Sequence, residues 1–268
     1  MLFLLRSVGG FLGIVAYYLG VRSEVTRRNI ARALPEFSKS AQRNLVLRTY
    51  ANIGQVFLEF IYLRFAPRHL IERGVVFENL EECRAVLLDG TGTILLSGHN
   101  ADWEWIALSI GAQVIPIRVL KKTQRSNMIV RFLEAMRSRF GNKMVDVADM
   151  RKVFRALSDG EPLAILGDQA PFPDSVRVPF FGELVPTFEG TARIALRTRA
   201  PIIFFYPLER TRKGYRVRLV PIPYNDLVGP TDENIRILTA RHAAMLEDAI
   251  RHCPSMWLWQ HRRWKHDE

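Results

Sequence analysis

The chain is poor in cysteine, with only Cys83 and Cys253 among its 268 residues. Two cysteines this far apart provide neither a disulfide framework nor the spacing of a metal site. We therefore predict no structural metal and no disulfide, and the low cysteine content fits a reducing, cytoplasm-facing environment.

The chain is also poor in acids, with 27 Asp and Glu against 38 Lys and Arg, which gives a formal net charge of +11 and a pI of about 10.1. Such a charge attracts phosphate backbones, anionic lipid headgroups or an acidic protein, and composition alone does not choose among them. Hydrophobic residues make up 48% and charged residues 24%, which argues against a wholly disordered chain or a polytopic membrane protein.

No apolar run clearly reaches the length of a bilayer-spanning helix. Residues 1–21 come nearest, with Arg6 as their only charge, but the uncharged part is shorter than the roughly 20 residues required. Arginines follow at once, and such flanking charge holds its side of a membrane helix in the cytoplasm. We predict a retained membrane anchor over residues 1–21 and one catalytic domain over residues 22–268. A buried amino-terminal core helix is the alternative.

Beyond Thr93, short apolar runs alternate with helical stretches. Strands are predicted over residues 94–97, 114–119, 162–166, 202–206 and 217–222. Helices are predicted over residues 103–111, 126–140, 150–158, 188–199 and 232–252, after a long amphipathic helix that begins near Ser38 or Ser40 and ends before Pro67. This alternation predicts an α/β fold with a mostly parallel central sheet flanked by helices. Ligands bind such sheets beyond the carboxyl ends of the strands.

His99 lies where the first of these strands meets a helix. Four residues separate it from Glu104, so the two side chains can meet only if His99 precedes the helix. We predict that Glu104 orients one imidazole nitrogen while the other accepts a proton from a substrate hydroxyl, and that the helix start favours the neutral imidazole. Asp102 is a competing orienter or a helix cap. A histidine that merely caps the turn is the structural alternative.

The pair His99 and Glu104 resembles the mark of the lysophospholipid acyltransferase superfamily, a histidine followed after four residues by an acid. Its Trp-Glu ending is similar to the bacterial lipid A biosynthesis branch, the lauroyl and myristoyl transferases. Further elements of the resemblance follow in order along nearly the whole chain: residues 29–36, 137–139, 167–169, 178–182, 187–192 and 259–264.

The resemblance implies a glycerolipid acyltransferase-like fold with an amino-terminal membrane-anchoring helix. It makes His99 and Glu104 the catalytic pair, with Asp102 as a possible helper. It implies that Arg137 or Arg139 contacts an anionic group of a substrate, a task that the planar guanidinium suits. Asp168 and Gln169 then support the site or bind the acceptor.

The activity implied is transfer of a fatty acyl group from an acyl thioester to a hydroxyl of a lipid A precursor or related glycolipid at the bacterial inner membrane. Acyl carrier protein is the expected donor, and acyl-CoA is the other. Transfer from a thioester needs no metal or other cofactor. A phospholipid or phosphatidylinositol-mannoside acyltransferase that uses acyl-CoA is the alternative function.

The carboxyl-terminal segment from Trp257 to Lys265 combines indoles with cations, a composition that suits an anionic membrane surface. Nucleic-acid binding uses the same residue types, so a basic nucleic-acid-binding protein is a rival interpretation. That rival leaves both the apolar amino terminus and the pair of His99 and Glu104 unexplained. We therefore predict a membrane surface as partner and no nucleic acid.

Overall fold

The computed structural model describes residues 1–122, 128–169 and 175–265, and its centre is a seven-stranded sheet. The strands of this sheet are β1 (Val75–Glu78), β2 (Ile94–Ser97), β3 (Arg118–Lys121), β4 (Lys143–Asp146), β5 (Leu163–Leu166), β8 (Ile202–Arg210) and β9 (Tyr215–Ile222). A separate antiparallel hairpin consists of β6 (Arg177–Phe180) and β7 (Glu183–Pro186). The order in the large sheet is β1-β9-β8-β2-β5-β3-β4. Only its β8–β9 pair is antiparallel, so the predicted mostly parallel sheet is confirmed.

Helices flank the sheet and bury both of its faces. They are α1 (Leu2–Tyr18), α2 (Ser23–Ala33), α3 (Lys39–Phe65), α4 (Arg68–Gly74), α5 (Leu80–Leu88), α6 (Trp103–Gln113), α7 (Met128–Arg137), α8 (Met150–Ser158), α9 (Gly190–Thr198) and α10 (Asp232–His252). Ile94 and Leu96 of β2 belong to one apolar core, while Leu95 between them belongs to the other. A central strand buried on both faces explains the uninterrupted apolar run in the sequence.

The central strands and most helices lie where the sequence predicts them, but the edges of the sheet differ. The strand predicted at residues 114–119 begins only at Arg118, because Val114 is still the carboxyl-terminal cap of α6. The four-residue strands β1, β4, β6 and β7 were not predicted, since their short, mixed sequences lack a clear apolar run. Ser126, the predicted start of one helix, lies outside the described residues.

The amino-terminal helix α1 packs lengthwise against α3. A Cβ atom added to Gly13 would lie 1.9 Å from the carbonyl oxygen of Tyr50, and one added to Gly54 would lie 2.1 Å from that of Gly9. Small residues thus allow the two backbones to approach closely. In the described part of the chain, no single helix has both the length and the apolar character to cross a membrane, whereas α1 and α2 reach them only as a pair bent by 94°.

Candidate active site

The register of two central strands brings His99 beside Asp168. In the parallel pair of β2 and β5, Ser97 lies opposite Leu166, and each strand continues by two residues to a polar side chain. The backbone keeps this register past the strand ends, because the amide of Gly167 donates to the carbonyl of Ser97 over 2.9 Å. The two side chains therefore meet at the carboxyl edge of the sheet, where ligands bind in such folds.

Asp168 holds His99 by two hydrogen bonds. One carboxylate oxygen, Oδ1, lies 2.7 Å from Nδ1 of the imidazole, and the other, Oδ2, accepts from the backbone amide of His99 over 2.8 Å. Trp257 Nε1 also donates to Oδ2 over 2.9 Å. Asp168 is 3% exposed, so these donors stabilise a buried carboxylate and fix its orientation. With Nδ1 engaged, Nε2 is the nitrogen left for a substrate.

Gly98 permits this close approach. A Cβ atom added there would lie 2.7 Å from Cδ1 of Leu246 and 3.1 Å from Cβ of Asp168. Any larger residue would therefore have to move the Leu246 side chain and would crowd the carboxylate that holds His99.

The predicted hydrogen bond between His99 and Glu104 is wrong in this structure. Glu104 lies in the first turn of α6, and both its oxygens accept from Nε of Arg137 at 2.9 Å, with Arg137 Nη2 as a further donor. Trp103 Nε1 donates to the same carboxylate over 3.2 Å. The carboxylate is thus directed toward α7, and Glu104 acts on His99 only through its charge.

The pKa of His99 also shifts in the direction opposite to that expected from a helix start that favours the neutral imidazole. Burial lowers the pKa of His99, but the charge and hydrogen bond of Asp168 outweigh it and leave the pKa above its ordinary value. The same contact holds the pKa of Asp168 well below its usual range, against the opposing effect of burial. Trp103 packs edge-on against the imidazole with ring centroids 4.9 Å apart. The contact with Asp168 therefore makes His99 more basic than a free imidazole, while Trp103 covers one side of the ring.

The two arginines singled out in the sequence have different positions. Arg137 lies at the site through its contacts with Glu104. Arg139 instead donates to the carbonyls of Leu63 and Ala66 at the end of α3, the second at 2.6 Å, so it ties two segments of backbone together. Of the two, the structure brings only Arg137 to the turn between β2 and α6, residues 98–102, which is hereafter the catalytic turn.

Asp102 and Gln169, the remaining predicted site residues, flank the pair without touching His99. Asp102 caps α6, with Oδ1 accepting from the amide of Trp105 over 2.9 Å, so the capping alternative is confirmed and its role as orienter of His99 is wrong. Gln169 follows Asp168 and is exposed to solvent.

The tryptophans of the carboxyl-terminal segment are buried, which corrects their expected position at a membrane surface. Trp257, Trp259 and Trp264 are each at most 1% exposed and pack around Phe180 and Phe181 of the β6–β7 hairpin. The segment also pairs with the catalytic turn, since the amide of Leu258 donates to the carbonyl of His99 over 3.0 Å. Sequence reasoning missed Trp257 as the partner of Asp168, because nothing in the residue type distinguishes it from its neighbours.

No three or more His, Cys, Asp or Glu side chains lie together as metal ligands in residues 1–122, 128–169 and 175–265. The polar atoms at the catalytic turn are those of an acid–base pair and an ion pair.

Comparison with known proteins places the chain in a family. The family model described as bacterial lipid A biosynthesis acyltransferase matches residues 2–266. The chain belongs to this family. As a member of the lipid A biosynthesis acyltransferase family, it is an O-acyltransferase, and the predicted enzyme class is confirmed.

Relatives from two bacteria are similar to the chain over most of their length. The lipid A biosynthesis lauroyltransferase of Escherichia coli (strain K12) is 27% identical over 248 residues, which cover 91% of this chain and 79% of the relative. The lipid A biosynthesis palmitoleoyltransferase of the same organism and the lipid A biosynthesis acyltransferase of Shigella flexneri are each 23% identical over 256 residues, covering 92% of this chain and 80% of the relative.

Proposed function

We propose that the protein transfers a fatty acyl chain from an acyl thioester to a hydroxyl group of a lipid A precursor, with His99 as general base and Asp168 as its orienting carboxylate. The observation that carries the proposal is the 2.7 Å contact between Nδ1 of His99 and Oδ1 of Asp168 at the carboxyl edge of the sheet. A base oriented by a buried carboxylate is the arrangement of hydrolase triads, here with the nucleophile supplied by the substrate.

The reaction requires one proton to move twice. Nε2 of His99 accepts the proton of the acceptor hydroxyl as its oxygen attacks the thioester carbonyl. The tetrahedral intermediate then collapses, the carbon–sulfur bond breaks, and the leaving thiolate takes the proton from Nε2. An ester and a free thiol result, so atoms and charges balance without a cofactor.

The oxyanion of the intermediate needs donors other than the turn itself. The amides of His99, Asn100 and Ala101 already donate to Asp168, Gly98 and Met256 respectively. Arg137 brings a charged donor to the site, and its pairing with Glu104 keeps the guanidinium oriented. We assign Arg137 either to the oxyanion or to a phosphate of the acceptor.

Acyl carrier protein is the proposed donor, because a net charge of +11 favours rapid association with an acidic protein. Acyl-CoA carries phosphates and is the competing donor. The proposed acceptor rests on the family name and on the three relatives named for lipid A biosynthesis.

We propose that an apolar surface of the amino-terminal helices faces the membrane, on the cytoplasmic side of the inner membrane. Large apolar side chains are exposed there on neighbouring helices: Phe3, Leu4, Phe11 and Leu12 of α1, and Phe57, Ile61 and Phe65 of α3. An exposed apolar patch of this kind marks a contact with lipid or protein. A lipid acceptor makes the bilayer the partner that fits the reaction.

The reaction is tested with the purified full-length protein, a lipid A precursor that bears free hydroxyls on its acyl chains, and two matched donors of equal chain length. Mass spectrometry should find one added acyl group with acyl carrier protein as donor, and a slower reaction with acyl-CoA. Product with His99→Ala at the wild-type rate would refute the assigned base. Transfer only to a phospholipid offered in the same vesicles would refute the acceptor.

The membrane surface is tested by flotation with anionic vesicles. Phe11→Ser combined with Phe57→Ser should weaken binding, whereas Leu184→Ser combined with Val228→Ser, which remove equally exposed apolar side chains elsewhere, should leave it unchanged. Equal weakening by both pairs would contradict the assignment.

A further inference from the structure

A series of buried polar side chains connects the amino-terminal helix to the catalytic turn. Arg6 of α1 donates from Nε to Oε1 of Glu59 on α3 over 2.5 Å, and the hydroxyl of Tyr215 donates to Oε2 over 2.6 Å. Arg6 also donates from Nη1 to the carbonyl of Thr211 over 2.7 Å. Glu59 is fully buried and Arg6 nearly so. A buried ion pair persists only when such additional hydrogen bonds satisfy its remaining donors and acceptors.

This series of polar contacts ends at Asp102. One of its oxygens caps α6, while Oδ2 is buried, faces the carboxyl group of Glu59 and receives no hydrogen bond from a donor within the described residues. Burial and the charge of Glu59 raise the pKa of Asp102 well above its usual range. A protonated Asp102 can donate from Oδ2 to the carboxyl group of Glu59.

The catalytic turn depends on its far end being held. Ala101, directly before Asp102, has a positive φ of 49°, a conformation that costs an L-residue free energy and persists only where the surroundings impose it. The amide of Ala101 donates to the carbonyl of Met256 over 2.8 Å, and Asp102 supplies the second restraint through α6.

We propose that Arg6, Glu59 and Asp102 are positioning residues, through which the docking of α1 sets the orientation of the segment that carries His99 and Glu104. This inference rests on the function proposed above. If α1 moves away, Glu59 loses its ion pair with Arg6 and keeps the hydrogen bond from Tyr215 and the charge of Arg210, so its contact with Asp102 stabilises the cap of α6 less well. The helix that contributes to the apolar membrane-facing surface is thereby coupled to the geometry of the base.

The first test compares Arg6→Ala and Arg6→Lys in the full-length protein bound to vesicles. A misplaced base lowers kcat and leaves KM unchanged, so we expect Arg6→Ala to lose roughly 10- to 100-fold in kcat at unchanged KM for donor and acceptor. Arg6→Lys, which keeps the charge, should recover most of the loss. Arg236→Ala, which breaks an exposed ion pair with Glu233 on α10, is the matched control and should not alter kcat.

The second test distinguishes a hydrogen bond between Asp102 and Glu59 from a role of Asp102 in packing alone. Asp102→Asn keeps a capping oxygen and adds an amide that can donate to Glu59, so its kcat should fall by no more than about threefold. Asp102→Ala removes both functions and should lose at least about tenfold, since lost caps and misplaced groups both weaken the turn. Equal loss in the Asn and Ala variants would overturn the carboxyl pair.

A spectroscopic signal reports the turn directly. With 5-fluorotryptophan incorporated, the fluorine resonance of Trp103, which packs on His99, should shift in folded Arg6→Ala and return in Arg6→Lys. Wild-type kcat in Arg6→Ala would overturn the coupling while the loss in His99→Ala stands. Wild-type kcat in His99→Ala would instead defeat the proposed function. If Arg6→Ala does not fold, the comparison of the two Asp102 variants decides.

Discussion

Asp168 and Glu104 both place a negative charge near His99, but different parts of the molecule hold them. Asp168 extends from the strand beside the one that leads to His99, and it accepts from the imidazole, the backbone and Trp257. Glu104 belongs to the helix that follows His99, and it pairs with Arg137 of another helix. The carboxylate adjacent in the sheet contacts the base, whereas the carboxylate adjacent in sequence orients a cation. We therefore expect loss of Asp168 to affect the chemical step and loss of Glu104 to affect substrate binding.

The largest effect should come from Asp168→Asn. The amide cannot stabilise the imidazolium and favours the wrong tautomer, so kcat should fall by about 10³-fold or more, close to the loss in His99→Ala. Single-turnover kinetics with a radiolabelled acyl thioester measure the chemical step. A loss below tenfold, with Glu104→Gln inactive, would reverse the comparison and restore Glu104 as the orienting carboxylate.

Glu104→Gln should have a smaller effect of a different kind. The neutral amide releases Arg137 from its ion pair, so KM for the acceptor should rise by about tenfold, while kcat falls less, as expected for lost positioning of a binding group. Steady-state kinetics over acceptor concentration distinguish the two constants. Arg139→Gln is the control, because Arg139 contacts backbone carbonyls away from the site, and its effect should be on thermal stability. A pure kcat effect in Glu104→Gln would contradict this division between the two carboxylates and would assign Arg137 to the oxyanion.

Trp257→Phe tests the hydrogen bond that Trp257 donates to Asp168. The variant keeps the ring packing and removes one hydrogen bond to a carboxylate, which is worth about 1.5–3 kcal/mol, so kcat should fall by roughly 10- to 100-fold with no change in KM. Trp259→Phe offers a matched control, since Trp259 Nε1 donates to the carbonyl of Pro254 and not to the site. Equal losses in both variants would mean that the segment contributes packing alone.

The mildest readout is the pH dependence of kcat/KM. The pKa of His99 is raised, so activity should fall as pH drops through that raised pKa and the imidazole becomes protonated. In Asp168→Asn the carboxylate that raises the pKa is gone and burial remains, so the residual activity should show its acidic limb at lower pH. The pH dependence of stability has the opposite sign. A raised histidine pKa stabilises the fold at low pH, and this stabilisation is lost as pH rises through that pKa. If the acidic limb of the profile lies at the same pH in Asp168→Asn as in the wild type, a group other than His99 controls it.

How far the sequence predicts the site differs from residue to residue. His99 is identifiable because it follows a buried apolar strand and a glycine, which places it at the ligand-binding edge of any parallel sheet. Asp168 is identifiable as a candidate for the same reason, being two residues beyond Leu166. Their pairing is not identifiable, since it depends on which strand is the neighbour of β2 and in which register, and both are set by contacts distant in sequence.

The amino-terminal helix gives a second example. Its composition indicates an apolar segment, and a length rule interprets it as an anchor. Packing against α3 depends on Gly9, Gly13 and Gly54 lying opposite one another, and the burial of Arg6 depends on finding Glu59 there. Both facts involve two helices at once and are absent from either segment taken alone.

Local periodicity and motifs that are contiguous in the chain are sufficient to predict the α/β class, the central strands, the position of His99 and the acyltransferase family. The carboxylate that holds His99, the pairing of Glu104 with Arg137 and the burial of the closing tryptophans are known only from the folded structure. These outcomes require side chains far apart in sequence to be brought within hydrogen-bond distance. The register of β2 and β5 sets the first of these distances, and the packing of α3 against both α6 and α7 sets the second.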